Sequence, residues 1–454
     1  MHINVLADRR SGILLHPTSL PSGRLDGDVL RWLDFLAAAG QSVWQVLPLG
    51  IPCAGRSPYQ CLSSFAANPA LLPEDAGTGT PQSADPQFRR WVEQRAFWLE
   101  DFTIFMLLKR QHHNRPWYEW PADCRDRDPA TLDRLRQAHA AELEQLRWEQ
   151  YRLHRTWKSL HAAANERGIY IFGDMPIFVA HDSADVWSCP ERFLLDAQGQ
   201  LTYATGVPPD YFSATGQRWG NPHYDWQHME DEGFSWWLQR LDSHFEWFDL
   251  LRIDHFRGLE AVWMIEADCE TAVDGHWAKI PGDALLTALQ RHMGEIPLVA
   301  EDLGIITPEV TALRKRYSLP GMAVLQFSFD ESDDNPHKPR NIVPDTVVYT
   351  GTHDNDTTRG WFDALPAGDQ QQVLAVLGIS DPAAVVDAMM KTALESRAQL
   401  CILPLQDILG LGTEARMNRP GDDGDHWRWR FDWSQITMET THHIREMSCH
   451  AGRC

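Results

Sequence analysis

No stretch of this sequence approaches the run of about eighteen apolar residues that a membrane-crossing helix needs, so nothing in it reads as a span. The opening residues, Met1 to Arg10, hold no apolar segment of secretory length. Basic residues are scarce. The 41 Lys and Arg face 63 Asp and Glu, and the resulting net charge of -22 repels phosphate backbones and anionic lipid surfaces. Nucleic acid and membranes are therefore not expected as partners. The 8 cysteines show neither C-x-x-C spacing nor the accompanying histidine spacing of a zinc site, which predicts a reduced, cytoplasmic chain. Also missing are Gly-x-Gly-x-x-Gly after the first strand and anything resembling Gly-x-x-x-x-Gly-Lys-Ser/Thr. No cofactor is expected.

What the sequence has in excess is tryptophan, 20 of them. Most must pack a core, but an indole face exposed in a cleft also stacks on sugar rings. It also has a recurrence of short apolar runs ending in polar residues. The first is Ile13-Leu14-Leu15-His16-Pro17 and the second Val43-Trp44-Gln45-Val46-Leu47-Pro48, separated by a helical pattern from Val29 to Ala39 that closes at Gly40. This is a β-α-β unit. Ile169 to Asp174, Leu250 to Phe256, Pro297 to Asp302, Ala323 to Phe327, Val347 to Asp354 and Leu400 to Leu405 continue the series. Eight runs interleaved with helical patterns predict an α/β fold, a (β/α)8 TIM barrel with large insertions and no C-terminal β-domain, in preference to a doubly wound open sheet. One catalytic barrel would then occupy 1–454.

Two insertions are expected within it. Residues 55–165, between strands 2 and 3, are apolar at helical spacing from Phe88 to Gln111 and amphipathic from Arg134 to His161, so this part should be mainly helical. Residues 175–232, between strands 3 and 4, are rich in Gly, Pro and aromatics and predict long loops over the barrel mouth.

In Leu250-Leu251-Arg252-Ile253-Asp254-His255-Phe256, period two puts Arg252 and Asp254 on one side of a strand. Taken alone, that pairing serves equally as a buried ion pair or as an ionised nucleophile beside a guanidinium. Glu301 and Asp354 shift the balance, because all three acids fall at C-terminal strand ends, where barrel enzymes carry their catalytic groups. A structural role would require more cations than Arg252 to offset three neighbouring acids. A divalent-metal cage is the competing use of the three. The His-x-His pattern of metal-dependent barrel hydrolases is missing after the first strand, so no metal is expected.

Motifs along nearly the whole chain carry a resemblance. They include Trp44-Gln45-Val46-Leu47-Pro48-Leu49, Ser57-Pro58-Tyr59-Gln60, Gly173-Asp174-Met175-Pro176, Gly206 to Asp210 on to Asn221-Pro222, Arg252 to Gly258, Ala300-Glu301-Asp302-Leu303-Gly304, Gly351-Thr352-His353-Asp354-Asn355 and Ala415 to Asn418. On these the sequence resembles the amylomaltases, the 4-α-glucanotransferases also called disproportionating enzymes, relatives of the α-amylase superfamily. The resemblance implies Asp254 as nucleophile, Glu301 as general acid/base and Asp354 as transition-state stabiliser. It further implies that Arg252 keeps Asp254 ionised, that Asp174 braces the arginine, and that His353 donates to sugar hydroxyls. Tyr59, Tyr211 and Trp219 are candidate sugar platforms, and Asp210, Gln217, Asn221 and Asn418 candidate hydroxyl partners; each could instead pack a core or cap a turn. The implied partners are maltooligosaccharides, glucose and linear α-1,4-glucans. A hydrolase of the α-amylase kind would use the same acids, and a non-catalytic glucan-binding protein would need only the aromatics.

Overall fold

A computed structural model describes residues 5–53, 55–74, 81, 84–209, 213–421 and 424–454. Its centre is a sheet of eight parallel strands: β1 (Arg10–Leu14), β2 (Val43–Gln45), β3 (Tyr170–Pro176), β4 (Leu250–Asp254), β5 (Leu298–Ala300), β6 (Gly321–Val324), β7 (Thr346–Tyr349) and β8 (Leu400–Pro404). Their order around the sheet is β6, β7, β8, β1, β2, β3, β4, β5. The seam between β5 and β6 is drawn together where the Ala300 N–H donates to the Pro320 carbonyl at 2.8 Å. Each strand falls on an apolar run of the sequence, and the arrangement is the (β/α)8 barrel that those runs predict.

Period-two alternation divides the core. Inward-facing Leu14, Val43, Phe172, Leu250, Val299, Met322, Val347 and Ile402 pack one cluster, while outward-facing Ile13, Trp44, Ile171, Ile253 and Ala300 join a larger one under the helices. Trp32, Trp44, Trp157, Trp187 and Trp237 are all fully buried in that outer layer. The helix following β1, Gly27–Ala38, starts on an Asp26 cap and presents Val29, Trp32, Leu33 and Leu36 to the barrel.

Between β2 and β3 run two long helices, Pro86–Gln111 and Ala140–Glu166, joined through shorter ones. Phe88 packs edge-on to Trp148 at 5.1 Å, and Glu100 pairs with the Arg147 guanidinium at 2.9 and 2.6 Å. The second helix also serves the barrel: its Trp157 lies 6.3 Å from Trp44 of β2, and the Trp157 indole N–H donates to the Trp247 carbonyl at 2.8 Å.

The segment after β3 differs from the long loops expected there. Tyr203–Val207 and Gln217–Pro222 pair antiparallel, and Ala261–Glu266 and Gly275–Lys279, from beyond β4, complete a four-stranded sheet. Tyr203–Val207 takes its second partner, Ala261–Glu266, from across β4, beyond the reach of the local Gly, Pro and aromatic pattern. Gly206 is required by the pairing, since a Cβ there would meet the Gln217 carbonyl oxygen at 2.1 Å.

The expectation that every thiol is free also needs correcting. A turn through Gly452, at φ 69°, folds the residues after helix Met438–His450 back on it and joins Cys449 to Cys454. Between them Arg453, 1% exposed, donates to the carbonyls of Arg10, Leu394, Ser396, Ala398 and Gln399 and so seals the lower ends of β1 and β8. Among the described residues no single helix is long and apolar enough to cross a membrane.

Candidate active site

The floor of the site is set by strand register. Asp174 of β3 lies opposite Arg252 of β4, both facing inward above the apolar Phe172 and Leu250. Arg252 Nη1 donates to both Asp174 oxygens at 2.8 Å, and the Tyr59 hydroxyl donates to Asp174 Oδ2 at 2.8 Å. Arg252 Nη2 lies 2.9 Å from Asp254 Oδ1. Burial opposes the charge on Arg252, but Asp174 and Asp254 outweigh it and hold its pKa well above the usual guanidinium range. Burial likewise raises Tyr59, with Asp174 adding to the shift, which keeps the hydroxyl a donor.

Asp254 closes β4 and is 31% exposed, so its carboxylate reaches the barrel mouth while Arg252 stays beneath it. The next strand brings Glu301. Ile253 pairs with Ala300, so Asp254 and Glu301 are the next residues up on neighbouring strands, whose backbones run about 4.8 Å apart. Both Glu301 oxygens accept backbone hydrogens, Oε2 from His255 at 2.6 Å and Oε1 from Leu303 at 2.9 Å. His255 adopts φ 54°, a left-handed conformation at the point where its N–H turns to Glu301. Burial is the largest influence on Glu301 and, with the Asp254 charge, lifts its pKa to about 7 against the pull of Arg252 and the two N–H groups. Two neighbouring acids thus sit in contrasting surroundings, one on a guanidinium and one desolvated.

Asp354 stands on the loop after β7, with 43% of its side chain exposed. Asn418 Nδ2 donates to its Oδ1 at 2.6 Å, His353 Nε2 lies 3.4 Å from the same oxygen, and Arg416 Nη2 donates to its backbone carbonyl at 2.8 Å. His353 stacks on Tyr59 with ring centres 5.2 Å apart, and Trp427 leans on both rings. A groove of about 400 Å³ opens beside them, lined among others by His16, Pro48, Pro58, Asn68 and Trp427.

The structure draws Asp174, Arg252, Asp254, Glu301, Tyr59, His353, Asp354 and Asn418 together. Gln217 and Trp219 come from the small sheet: the Trp219 indole N–H donates to Gln217 Oε1 at 3.1 Å, and its ring meets His255 edge-on at 4.9 Å. That edge contact links the sheet to the residue bonded to Glu301. Asn221 is different. It is 3% exposed, and its amide is spent on the Val179 carbonyl at 2.7 Å and on Gln60 at 2.9 and 3.2 Å, so it ties the sheet to the 59–61 segment instead of meeting a sugar. Asn418 likewise addresses Asp354 first. Asp210 and Tyr211 lie outside the described residues.

Sequence reasoning passed over His255 as the donor to Glu301, Arg416 and Trp427. Arg416 stands within the motif that supplied Asn418, so the signal for it was present; Trp427 is one aromatic among many. Among the described residues no group of three or more His, Cys, Asp or Glu is arranged to hold a metal ion, and the cation among the acids is Arg252.

Known proteins resemble this chain over its length. The 4-alpha-glucanotransferase model of glycoside hydrolase family 77 matches residues 15–76 and 74–436. A 4-alpha-glucanotransferase of Thermus thermophilus is 44% identical over 97% of this chain and 98% of its own length, and one from Synechocystis is 42% identical over 97% of each. The solved amylomaltase of Streptococcus agalactiae, in complex with acarbose, superimposes with a TM-score of 0.94 at 31% identity, covering 98% of this chain and 99% of that one. With its barrel, the three acids at its mouth and its full-length likeness to these relatives, the chain belongs to glycoside hydrolase family 77, the 4-alpha-glucanotransferases.

Proposed function

We propose that this protein transfers α-1,4-linked glucan segments from a donor maltooligosaccharide to the 4-hydroxyl of glucose or another glucan, by a retaining double displacement on Asp254, Glu301 and Asp354. The observation that carries it is the β4–β5 register, which sets Asp254 and Glu301 side by side with opposed electrostatics. Retaining chemistry uses two carboxyl groups about 5 Å apart, one ionised and one protonated. Inverting chemistry needs a wider gap for water.

In the first half-reaction Glu301 gives its proton to the glycosidic oxygen while Asp254 attacks the anomeric carbon. Arg252 occupies Asp254 Oδ1, so attack falls to Oδ2. The C1–O bond breaks, the leaving glucan departs with the proton, and a covalent glycosyl-Asp254 remains. In the second half-reaction Glu301, now ionised, takes the proton of the acceptor 4-hydroxyl, whose oxygen displaces Asp254. Asp354, held by Asn418 on one oxygen, faces the positive charge that develops on the sugar ring in both steps. Tyr59, His353, Trp219 and Gln217 surround this point and hold the sugars.

An α-amylase-type hydrolase would employ the same acids and differ in what resolves the intermediate. Transfer conserves glycosidic bonds. Maltotriose should therefore yield glucose and a ladder of longer maltooligosaccharides while total reducing ends stay nearly constant, measured by thin-layer chromatography beside a reducing-end assay. Reducing ends rising in step with glucose, with no product longer than the substrate, would establish a hydrolase.

The protonation of Glu301 sets the pH response. With its pKa lifted to about 7, the acid needed for the first half-reaction is lost as pH rises through that value, and kcat/KM should fall about tenfold per unit on the alkaline side. Titrating kcat/KM between pH 5 and 9 checks this. An alkaline limb that persists unchanged in Glu301→Gln would assign it to another group.

A further inference from the structure

Asp407 takes no part in the site described above. It lies in the short helix Leu405–Ile408 that follows β8, is 2% exposed, and carries three hydrogen bonds from one neighbouring loop. The Thr350 hydroxyl donates to its Oδ2 at 2.5 Å, the Thr358 hydroxyl to the same oxygen at 2.7 Å, and the Thr358 N–H to Oδ1 at 2.7 Å. Thr350 follows the last residue of β7, and Thr358 opens the helix Thr358–Ala364. Everything between them is the loop that carries His353 and Asp354. One carboxylate therefore ties both ends of that loop to the short helix that follows the next barrel strand.

The arrangement carries a cost that points to a purpose. Among the described residues no cation pairs with Asp407: its three donors are neutral, and the charge of Asp356 acts on it as a like charge. Burial raises its pKa, and only the threonine donors draw it back. A loop that needed only an anchor could be held by apolar packing. Within the loop, Thr352 N–H and hydroxyl both donate to Asn355 Oδ1 at 2.9 Å, and from the turn after β6 Gln326 Nε2 donates to the Asp356 carbonyl at 2.9 Å, so the loop is braced between its two ends. Displacing its two ends would displace Asp354 with them.

We propose that Asp407 is a positioning residue for the reaction, clamping both ends of the Gly351–Thr357 loop so that Asp354 is held against the sugar ring. The inference rests on Asp354 acting as the transition-state stabiliser. A misplacement of about 1 Å in such a group can cost 100-fold in rate, and it weakens the transition state more than the ground state. Asp407→Ala should accordingly lower kcat on maltotriose about 100-fold with KM changed less than threefold. Asp407→Asn, which keeps an acceptor for the threonines, should recover most of that loss, to within about tenfold of the parent. In an Asp354→Asn background, Asp407→Ala should slow the enzyme no further, because the group it positions is already disabled.

Rates are to be referred to folded protein, measured by circular dichroism well below the melting temperature. A merely structural clamp would lower the melting temperature and leave kcat per folded molecule within twofold, which would overturn the proposal. If Asp407→Ala does not fold, Thr350→Val and Thr358→Val each remove one hydroxyl from the clamp at nearly constant volume; each should lower kcat about tenfold at unchanged KM, and unaltered kcat in both would overturn it equally. Near-native activity in Asp354→Asn alone would overturn the reading of the site. Severe loss there together with unaffected Asp407 variants would overturn only the clamp.

Discussion

Asp254→Asn is expected to lower disproportionation of maltotriose by about four orders of magnitude or more, equivalent to roughly 5 kcal/mol of transition-state stabilisation at 1.36 kcal/mol per decade. The substitution removes the attacking charge and almost nothing else. Asp254 is partly exposed and makes one contact with Arg252 beneath it, whereas the arginine keeps its two bonds to buried Asp174. The guanidinium is therefore not stranded, and the fold should survive with a melting temperature within a few degrees of the parent. An amide oxygen in place of the carboxylate is a poor nucleophile and forms no stable ester with the anomeric carbon. Initial rates on maltotriose, together with mass spectrometry of the parent trapped with a 2-deoxy-2-fluoro glycosyl donor, supply the check. A variant with near-native turnover, or a trapped adduct on a different residue, would reject the assignment.

Glu301→Gln should be nearly as damaging on natural donors, by about three orders of magnitude, and the loss should depend on the leaving group. The acid's task in the first half-reaction is to protonate a departing sugar oxygen. A donor that leaves without protonation, such as a maltosyl fluoride, should form the glycosyl-enzyme at close to the parent rate. Release to an acceptor sugar, where Glu301 works as a base, should remain slow, so a burst of fluoride followed by a slow phase is expected. The substitution carries a side effect legible in the geometry: both Glu301 oxygens accept backbone N–H groups, and the amide nitrogen of a glutamine must face one of them. That lost hydrogen bond should lower stability by about 1–3 kcal/mol, measurable by urea titration without a change in the burst. Equal loss on fluoride and on maltotriose would show that Glu301 does more than move protons.

Between these residues the electrostatic design follows from position. Arg252 is buried between two acids and cannot lose its charge, so Asp254 stands beside a permanent cation; Glu301, one strand along, is held by two backbone N–H groups. The same barrel rim thus seats one carboxyl on a guanidinium and leaves its neighbour desolvated, with its pKa lifted to about 7.

The sequence by itself determined the barrel strands and the three acids gathered at the barrel mouth. Strand identity is local: an apolar run with period two, ending in polar residues, needs no partner to be recognised, and the end of such a run in a (β/α)8 barrel is where functional groups emerge. Asp254, Glu301 and Asp354 were legible for that reason, as was Arg252 two residues before the first of them. Only the tertiary structure decided what each side chain meets. Asn221 has the chemistry of a sugar-binding amide, yet Gln60 and Val179 consume it from distant parts of the chain. Tyr203–Val207 pairs with its local neighbour Gln217–Pro222 on one side, and its other edge is covered by Ala261–Glu266, which arrives from beyond β4. Asn418 found Asp354, the His255 N–H found Glu301, and Asp407 found both ends of the β7 loop, each across a separation that no local pattern spans. Hydrogen bonds and desolvation act through space over a few ångströms, and chain order constrains those distances only after the barrel has closed.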